Sequence, residues 1–313
     1  MNRWRVGILG AGMMAQGFDH PGADHVVSLA HAFARSPQFA LEGFFDQDAG
    51  RTEAAERRWG CPASSRDRGD WLGAGWDVLC IATPDACHGD DLRDALQRRP
   101  KAILVEKPLS IDGAEALDLL HRARHLGVAL MVNYPRRWHP AVVGLREAVA
   151  AGELSVPVSA FVAVSGGAIH NLPHTTDLIH TIWGGGWHVS LTGRKNEVVC
   201  LLCERAREAF TLTVLDRRAH HYVWEAHFYC ADAKVELSHS PELLELSRPA
   251  PHPVYTSYQV LTPVFRAEME QESLLCRVAD ELAEALSGPD QVSRVLEREL
   301  ESQRFTASVL QWF

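Results

Sequence analysis

Residues 6–15 run Val6-Gly7-Ile8-Leu9-Gly10-Ala11-Gly12-Met13-Met14-Ala15, a short apolar stretch that leads directly into Gly-x-Gly-x-x-Ala. This order predicts a strand, a tight turn and the start of a helix. Gly10 permits the turn, Gly12 lets the backbone approach a pyrophosphate, and Ala15 keeps the helix close to the strand. The free N–H groups of the first helical turn attract an anion. The segment therefore predicts a dinucleotide-binding turn, with a purely structural turn as the alternative.

Around this turn, the first 125 residues alternate apolar runs with helical patterns, which is typical of βαβ units and a parallel sheet. Five strands are predicted, at residues 5–9, 40–45, 78–82, 102–105 and 128–132. Four helices are predicted between them, at residues 14–34, 51–59, 88–98 and 113–125. The rhythm breaks at residues 133–140, so we predict a Rossmann domain at 1–133 and a second domain at 134–313.

The second half of the chain has a different pattern. Partly alternating apolar runs predict strands at residues 156–164, 197–203, 209–216, 221–230 and 233–238. Short connections between these runs favour a largely antiparallel sheet. Two helices are predicted after it, at residues 268–286 and 289–313. The predicted fold class is α/β, with an N-terminal Rossmann domain and a C-terminal α+β domain.

Composition excludes several classes of function. The net charge of -9 argues against binding to nucleic acid or to anionic membranes, and no apolar stretch is long enough to cross a membrane. The seven cysteines are scattered and odd in number, which predicts reduced thiols in a cytoplasmic protein. Cys200-x-x-Cys203 lies alone in a predicted strand, and no second pair or His-Glu-x-x-His motif accompanies it. We therefore predict no metal site.

The prediction of cofactor type depends on Asp46. It ends the second predicted strand, where a carboxylate accepts both hydroxyls of the adenosine ribose. Its distance from Gly12 is 34 positions, whereas about 20 is usual, so the first crossover carries extra chain at residues 19–28. Gln47 and Asp48 follow rather than an arginine, so a 2′-phosphate would meet negative charge. The sequence favours NAD over NADP.

Further motifs lie beyond this turn. Glu106-Lys107-Pro108 follows the fourth predicted strand at its carboxyl end, where doubly wound sheets bind their ligands. Together with the glycine turn, with Ile81-Ala82-Thr83-Pro84 and His88, and with Arg136-Arg137-Trp138-His139-Pro140, it resembles the Gfo/Idh/MocA family. That family includes glucose-fructose oxidoreductase, inositol dehydrogenases and nucleotide-sugar dehydrogenases. The resemblance covers essentially the whole chain and is most specific in the first 140 residues.

The resemblance implies roles for individual residues. Lys107 and His174 are implied to be catalytic, and Arg137 matches an arginine of the family's Arg-Arg-Phe-x-Pro-like segment. The residues implied to contact the cofactor are Gly10, Gly12, Met13, Asp46, Thr83, Pro84, His88, Glu106 and Lys107. The residues implied to contact the substrate are Arg137, His170, Asn171 and Asp177.

The second family signature is a Gly-rich turn followed by Asp-x-Gly-x-His-x-x-Asp. Here His174 and Asp177 keep the His-x-x-Asp spacing, which puts both on one face of a helix predicted to begin near Pro173. The acidic residue before the histidine is missing, and His170 and Asn171 occupy its region. A histidine accepts a proton near neutral pH, so His174 is the predicted proton acceptor. His170 and Lys107 remain alternatives, as does a packed histidine that caps a helix.

The resemblance implies an NAD-dependent oxidoreductase acting on a secondary alcohol or ketone of a sugar, a cyclitol or a nucleotide-linked sugar. Two alternatives stay open: an imine or tetrapyrrole-type reductase of the same family, and a non-catalytic NAD-binding regulator. The expected partners are a small-molecule substrate and further copies of the chain, as a homo-dimer or homo-tetramer. No nucleic acid or membrane partner is expected.

Overall fold

The computed structural model describes residues 3–165, 167–217, 223–239, 242–269 and 274–313. The chain divides into two compact units. The N-terminal unit comprises Met1–Pro135 and Gln271–Gln303, and the C-terminal unit comprises Arg136–Glu270 and Arg304–Phe313. The predicted boundary at residue 133 is two positions earlier. The prediction also gave residues 134–313 entirely to the second domain, whereas the structure returns Gln271–Gln303 to the first unit.

The N-terminal unit contains a parallel sheet. Its strands are β1 (Trp4–Leu9), β2 (Phe39–Phe45), β3 (Val78–Ile81), β4 (Ala102–Val105) and β5 (Ala129–Val132). They lie in the order β2-β1-β3-β4-β5, and all pairs are parallel. The chain leaves β1 toward one edge and returns to β3 on the other side, which opens a crevice at the carboxyl ends of these strands. The predicted Rossmann fold is confirmed.

Helices cover both faces of this sheet, as its connections require. They are α1 (Leu29–Arg35), α2 (Ala49–Trp59), α3 (Arg68–Leu72), α4 (His88–Gln97) and α5 (Gly113–Leu126). Asp48, Asp67 and Asp112 cap the N-termini of α2, α3 and α5 by accepting backbone N–H groups, which is a typical N-cap role. Gly127 ends α5 with a φ of 68°, at the predicted helix stop.

The predicted helix at residues 14–34 is wrong. The glycine turn is followed by one π-helical turn, Met13–Gly17, and α1 begins only at Leu29. Pro21 and Gly22 interrupt the helical pattern. Asp19 then fixes the non-helical chain, since its Oδ2 accepts N–H groups from Val27 at 2.8 Å and Ser28 at 3.1 Å. The extra chain of the first crossover is therefore an ordered loop.

The C-terminal unit begins with α6 (Pro140–Ala150) and β6 (Pro157–Ser165), followed by α7 (Ala168–Trp183). Seven further strands complete its sheet: β7 (His188–Lys195), β8 (Val198–Arg205), β9 (Glu208–Arg217), β10 (Trp224–Cys230), β11 (Lys234–His239), β12 (Glu242–Pro251) and β13 (Gln259–Glu268). The order is β13-β12-β11-β10-β6-β9-β8-β7, and only β6 with β9 is a parallel pair. The predicted, largely antiparallel sheet is confirmed.

Several elements of this unit differ from the predictions. The strands β7, β12 and β13 and the helix α6 were not predicted, and α7 begins at Ala168 rather than near Pro173. Pro173 lies in the second turn of α7, beyond the first four N–H groups that have no partner inside a helix, so its ring leaves the carbonyl of Ile169 without its usual backbone donor. The start of the strand predicted at 221–230 lies outside the described residues, as do residues 270–273 of the helix predicted at 268–286.

Two helices, α8 (Leu274–Ala285) and α9 (Pro289–Leu310), complete the described chain. The apolar face of α8 is buried, and the helix packs on α1 and β4 of the N-terminal unit. Leu296 and Leu300 of α9 belong to the core of the N-terminal unit. Phe305 and Val309 belong to the core of the C-terminal unit. No helix among the described residues has the length and apolar character that a membrane crossing needs.

The seven cysteines are free thiols. Cys203 points into the core of the C-terminal unit, where burial raises the pKa of its thiol to about 12. Cys200 is half-buried and pairs with Thr213 across β8 and β9. Residues three apart on a strand face opposite sides of the sheet, so this pair does not form a redox or metal motif.

Candidate active site

A cleft opens at the carboxyl ends of β1, β2 and β3. It is lined by Leu9, Gly10, Gly12, Met13, Met14, Phe45, Asp46, Gln47, Arg51, Arg68, Ala82, Thr83, Pro84, Cys87 and Asp91. All of these residues belong to the N-terminal unit. The cleft lies at the point where the strand order reverses, which is where open α/β sheets bind ligands.

The two glycines of the turn have different structural requirements. Gly10 has a φ of +98°, and a Cβ there would lie 2.5 Å from the carbonyl oxygen of Ala82. Only glycine fits this conformation and this close approach to the loop after β3. Gly12 has a φ of -77°, and a Cβ there would meet no atom within 4 Å. The fold therefore tolerates a side chain at position 12, and glycine there leaves space on the wall of the cleft.

Asp46 is fixed at the end of β2 by backbone groups. Its Oδ2 accepts the N–H of Ala11 over 2.9 Å, and its Oδ1 accepts the N–H of Asp48 over 2.9 Å. The first bond joins the glycine turn to the end of β2. A carboxylate oxygen accepts more than one hydrogen bond, so both oxygens keep capacity for ribose hydroxyls. Asp46 thus lies where the sequence placed the acidic residue.

Arg68 lies in the wall of the cleft, and the sequence analysis did not identify it. It donates to Asp91 Oδ1 over 2.7 Å and also pairs with Asp94. Thr83 Oγ1 donates to the other oxygen of Asp91 over 2.6 Å. Asp91 therefore holds both Arg68 of α3 and the loop after β3. No local pattern signals this role, because the three partners come from separate helices and loops.

His88 lies beneath the cleft, fully buried, and is not among its lining residues. Its Nδ1 is 2.6 Å from the carbonyl oxygen of Pro108, and its Nε2 is 2.9 Å from the carbonyl oxygen of Thr83. The imidazole thus connects the loops that follow β3 and β4. This places His88 behind the residues implied to touch the cofactor rather than beside them.

Glu106 and Lys107 follow β4, outside the lining of the cleft. Glu106 is buried, and burial raises the pKa of its carboxyl group. This rise is opposed by a hydrogen bond from Asn133 Nδ2 over 2.6 Å and by the nearby charge of Lys107. Lys107 is half-buried, and its backbone N–H donates to Glu106 Oε2 over 3.3 Å. Glu106 and Lys107 thus lie at the end of β4, and the hydrogen bond from Asn133 joins Glu106 to the end of β5.

The C-terminal unit brings the second family signature together. Asp177 of α7 and Arg137 form an ion pair in which each side chain is 1% exposed. The Nε of Arg137 donates to Asp177 Oδ2 over 3.2 Å. Asn171 is buried as well, and its Nδ2 donates to the carbonyl oxygen of Ser165. Arg137, Asn171 and Asp177 were predicted to contact the substrate, and all three are buried and bonded to other groups of the protein. His170, the fourth predicted residue, is exposed.

His174 is partly exposed, and its neighbour was not predicted. Arg136 Nη1 donates to His174 Nδ1 over 3.3 Å. Arg136 also donates from Nε to Glu242 Oε1 over 2.5 Å, and its guanidinium carbon lies 4.6 Å from the ring centre of Trp224. The predictions selected Arg137 instead because it matches the family motif. The partners of Arg136 are Trp224 on β10 and Glu242 on β12, and no local sequence pattern reveals either contact.

A doubly wound sheet whose switch point is lined by Gly-x-Gly and a carboxylate belongs to the class of dinucleotide-binding Rossmann folds. Residues 4–134 match the family model described as the oxidoreductase family, NAD-binding Rossmann fold. Within residues 4–134, this match confirms the resemblance to the Gfo/Idh/MocA family. Among the residues that the structure describes, no three His, Cys, Asp or Glu side chains form a group that could hold a metal ion.

Two curated relatives align with parts of the chain. Inositol 2-dehydrogenase from Mycolicibacterium smegmatis is 33% identical over 159 residues, which cover 50% of this chain and 43% of that protein. UDP-N-acetylglucosamine 3-dehydrogenase from Acidithiobacillus ferrooxidans is 31% identical over 148 residues, which cover 47% of this chain and 42% of that protein. The matched segment therefore spans less than half the length of either relative.

Solved structures share the whole fold. A 3-ketoreductase from Actinomadura kijaniata in complex with NADP aligns with a TM-score of 0.75 and 16% identity, covering 99% of this chain and 97% of that one. Identity this low shows a common fold alone. The aligned fold includes both the parallel and the antiparallel sheet.

Proposed function

We propose that this chain is an NAD-dependent oxidoreductase that moves a hydride between the nicotinamide and a secondary alcohol or ketone of a sugar, a cyclitol or a nucleotide-linked sugar. The observation that carries the proposal is the cleft in which Gly10, Gly12 and Asp46 come together at the switch point of the sheet. The match of residues 4–134 to the family model supports it.

The residues of this cleft fit a dinucleotide. The open space beside Gly12 suits a close approach of pyrophosphate, and the fixed carboxylate of Asp46 suits ribose hydroxyls. Gly10, Gly12 and Met13 would hold the pyrophosphate, Asp46 the adenosine ribose, and Thr83 and Pro84 the adjoining part of the cofactor. When bound, the nicotinamide supplies or takes up the hydride, while the protein provides orientation and proton transfer.

Oxidation of a secondary alcohol also requires the hydroxyl proton to leave. We assign the proton transfer and the stabilisation of the alkoxide to Lys107 and His174 together. A lysine can stabilise the developing alkoxide by its charge or hydrogen bonds. Its neighbour Glu106 is held in place by Asn133, which supports a fixed arrangement at the end of β4.

The substrate class rests on the relatives, which are named as dehydrogenases of an inositol and of a nucleotide sugar. The test is a screen of NAD reduction, and of NADH oxidation in the reverse direction, with cyclitols, hexoses, nucleotide sugars and their keto forms. Turnover by one of these classes would support the proposal. Binding of NAD without turnover of any of them, or of an imine, would favour the non-catalytic regulator.

We propose NAD over NADP because a 2′-phosphate on the adenosine ribose would face the carboxylate of Asp46. The Asp46→Ala variant should lose affinity for NADH about tenfold, the scale of a hydrogen bond to a charged group, and its preference over NADPH should shrink. Titration of both cofactors by nicotinamide fluorescence measures this. Asp48→Ala is the matched control, because it removes an equal charge that caps α2 and accepts from Gly50. Tighter binding of NADPH than NADH by the unaltered protein would contradict the assignment.

We also propose that the chain assembles as a homo-dimer or homo-tetramer through the open face of its eight-stranded sheet. Alternation along β6 and β10 sends Val162, Ala226 and Phe228 into the core. Phe161 and Tyr229 point the other way and remain 38% and 41% exposed. Large aromatic side chains on a flat sheet face are typical of contacts between subunits.

A further inference from the structure

Arg136 contacts one ring nitrogen of His174 in the C-terminal unit. Arg136 Nη1 lies 3.3 Å from His174 Nδ1. A guanidinium has N–H donors and no acceptor, so Nδ1 must present its lone pair to Arg136. A neutral imidazole carries a single N–H, which must then be on Nε2. The doubly protonated ring would turn an N–H toward the guanidinium, so this contact disfavours the imidazolium.

Arg136 is held in the position that this bond requires. It is 7% exposed, its Nε donates to Glu242 Oε1 over 2.5 Å, and its guanidinium lies over the ring of Trp224. Trp224 is itself fixed, because its Nε1 donates to Thr175 Oγ1 over 3.0 Å. The guanidinium cannot turn away from His174 without breaking a buried, charge-assisted bond to Glu242.

We infer that Arg136 is a positioning residue that holds His174 in its Nε2–H tautomer, so that His174 serves the reaction as a neutral hydrogen-bond donor and not as the proton acceptor. The inference rests on the proposed function for its substrate, which presents a hydroxyl or carbonyl oxygen. An acidic neighbour at Nδ1 would have the opposite effect, because it would keep the proton on Nδ1 and leave Nε2 able to accept one. This chain lacks the acidic residue that usually precedes the histidine of the motif, and a basic residue contacts Nδ1 instead.

The reaction then balances without a change in the charge of His174. In oxidation, the C–H bond breaks and its two electrons leave with the hydride, while the O–H proton passes to a base. Since Nε2 already carries a proton, the proposed function leaves Lys107 as that base: its ammonium first releases a proton to solvent, and the resulting amine takes the hydroxyl proton and becomes the ammonium again. In reduction, the ammonium returns the proton to the alkoxide. The N–H of His174 stabilises negative charge on the oxygen in both directions.

Other titratable groups lie around the imidazole within the described part of this unit. Arg136 faces it with its partner Glu242 from β12. On α7 itself, His170 lies one turn earlier, and Asp177 lies one turn later in its ion pair with Arg137. The contact at Nδ1 comes from Arg136, and the tautomer is inferred from that contact.

The direct test is a side-chain ¹⁵N–¹H NMR spectrum of the full chain, with His174 assigned from the signals that disappear in His174→Gln. We expect Nε2 to carry a proton and Nδ1 to carry none, and this pattern should stay unchanged from about pH 6 to about pH 8, where a free histidine titrates. A proton on Nδ1, or titration of His174 within this range, would overturn the inference.

A double variant, Arg136→Met with Glu242→Gln, removes the donor to Nδ1 without leaving a buried charge unpaired. In this variant the His174 signals should move with pH through the ordinary histidine range. If they remain as fixed as in the unaltered protein, Arg136 does not control the tautomer.

Turnover rates of two variants distinguish a hydrogen-bond donor from a proton acceptor at position 174. His174→Gln keeps a side-chain N–H and should stay within about tenfold of normal turnover, whereas His174→Ala should lose about a hundredfold, the scale of one lost oxyanion donor. Equal loss in both variants would indicate a base and overturn the inference. The NMR result needs no substrate, so a fixed Nε2–H tautomer in a chain without any turnover would count against the proposed function alone.

Discussion

At the residue scale, Gly10 and Gly12 offer a matched pair of substitutions. Gly10→Ala forces a Cβ against Ala82 at a φ of +98° and should lower the free energy of unfolding by about 2 kcal/mol or more. Gly12→Ala places its methyl group in open space and should change that free energy by less than about 0.5 kcal/mol. Urea denaturation without cofactor measures both.

The same two variants test the cofactor site when NADH is titrated. Gly12→Ala should weaken NADH binding although its stability is normal, because its methyl group takes the space proposed for the pyrophosphate. Normal binding by this variant would show that the pyrophosphate does not approach the backbone at residue 12.

Individual residues also show how far sequence reasoning reaches. Gly10, Gly12 and Asp46 were recognisable because the glycine spacing and the acidic residue follow directly after apolar runs that predict strands. Arg68 and Arg136 were not, because their roles come from partners distant in sequence: Asp91 for Arg68, and Glu242 with Trp224 for Arg136. Family matching pointed to Arg137, which the structure places in a buried ion pair.

At the scale of single elements, α7 depends on that ion pair. Removing one partner of a buried pair costs about 3–5 kcal/mol, because the other charge is left buried without it. Arg137→Met should therefore lower the melting temperature strongly, and Arg137→Met with Asp177→Leu should recover most of the loss. Differential scanning calorimetry measures both variants.

The control for this pair is Arg57→Met, which breaks an exposed pair with Glu53 on α2 and should cost less than about 1 kcal/mol. If Arg137→Met melts like the unaltered protein but raises the Michaelis constant for substrate, Arg137 acts in substrate binding and not in holding α7.

The elements themselves were predicted unevenly. Strands β1 to β5 were found within one residue at each end because buried parallel strands give continuous apolar runs between turns. The segment 14–34 was misassigned because its apolar spacing suits a helix, while Asp19 fixes a loop through bonds to residues 27 and 28. The strand β13 escaped prediction because it is exposed along most of its length and has no regular burial pattern.

At the scale of the whole molecule, self-association through the open sheet face can be tested by light scattering. The unaltered protein should have a mass of two or four chains, and Phe161→Glu should shift it toward one, since a buried charge at an interface is costly. Ile111→Glu is the matched control, because Ile111 is also exposed, at 54%, but lies in the N-terminal unit. A single-chain mass for the unaltered protein, or equal effects of both variants, would contradict the proposal.

The helix α9, whose residues enter both cores, has a consequence for biosynthesis. A nascent chain that has emerged from the ribosome as far as residue 135 has every strand of the nucleotide-binding sheet but lacks Leu296 and Leu300. At about 5–20 residues per second, those side chains follow on the order of 10–30 s later. Until then, the apolar surface that they cover is open to chaperones, so folding of the N-terminal unit is completed only after most of the C-terminal unit has been translated.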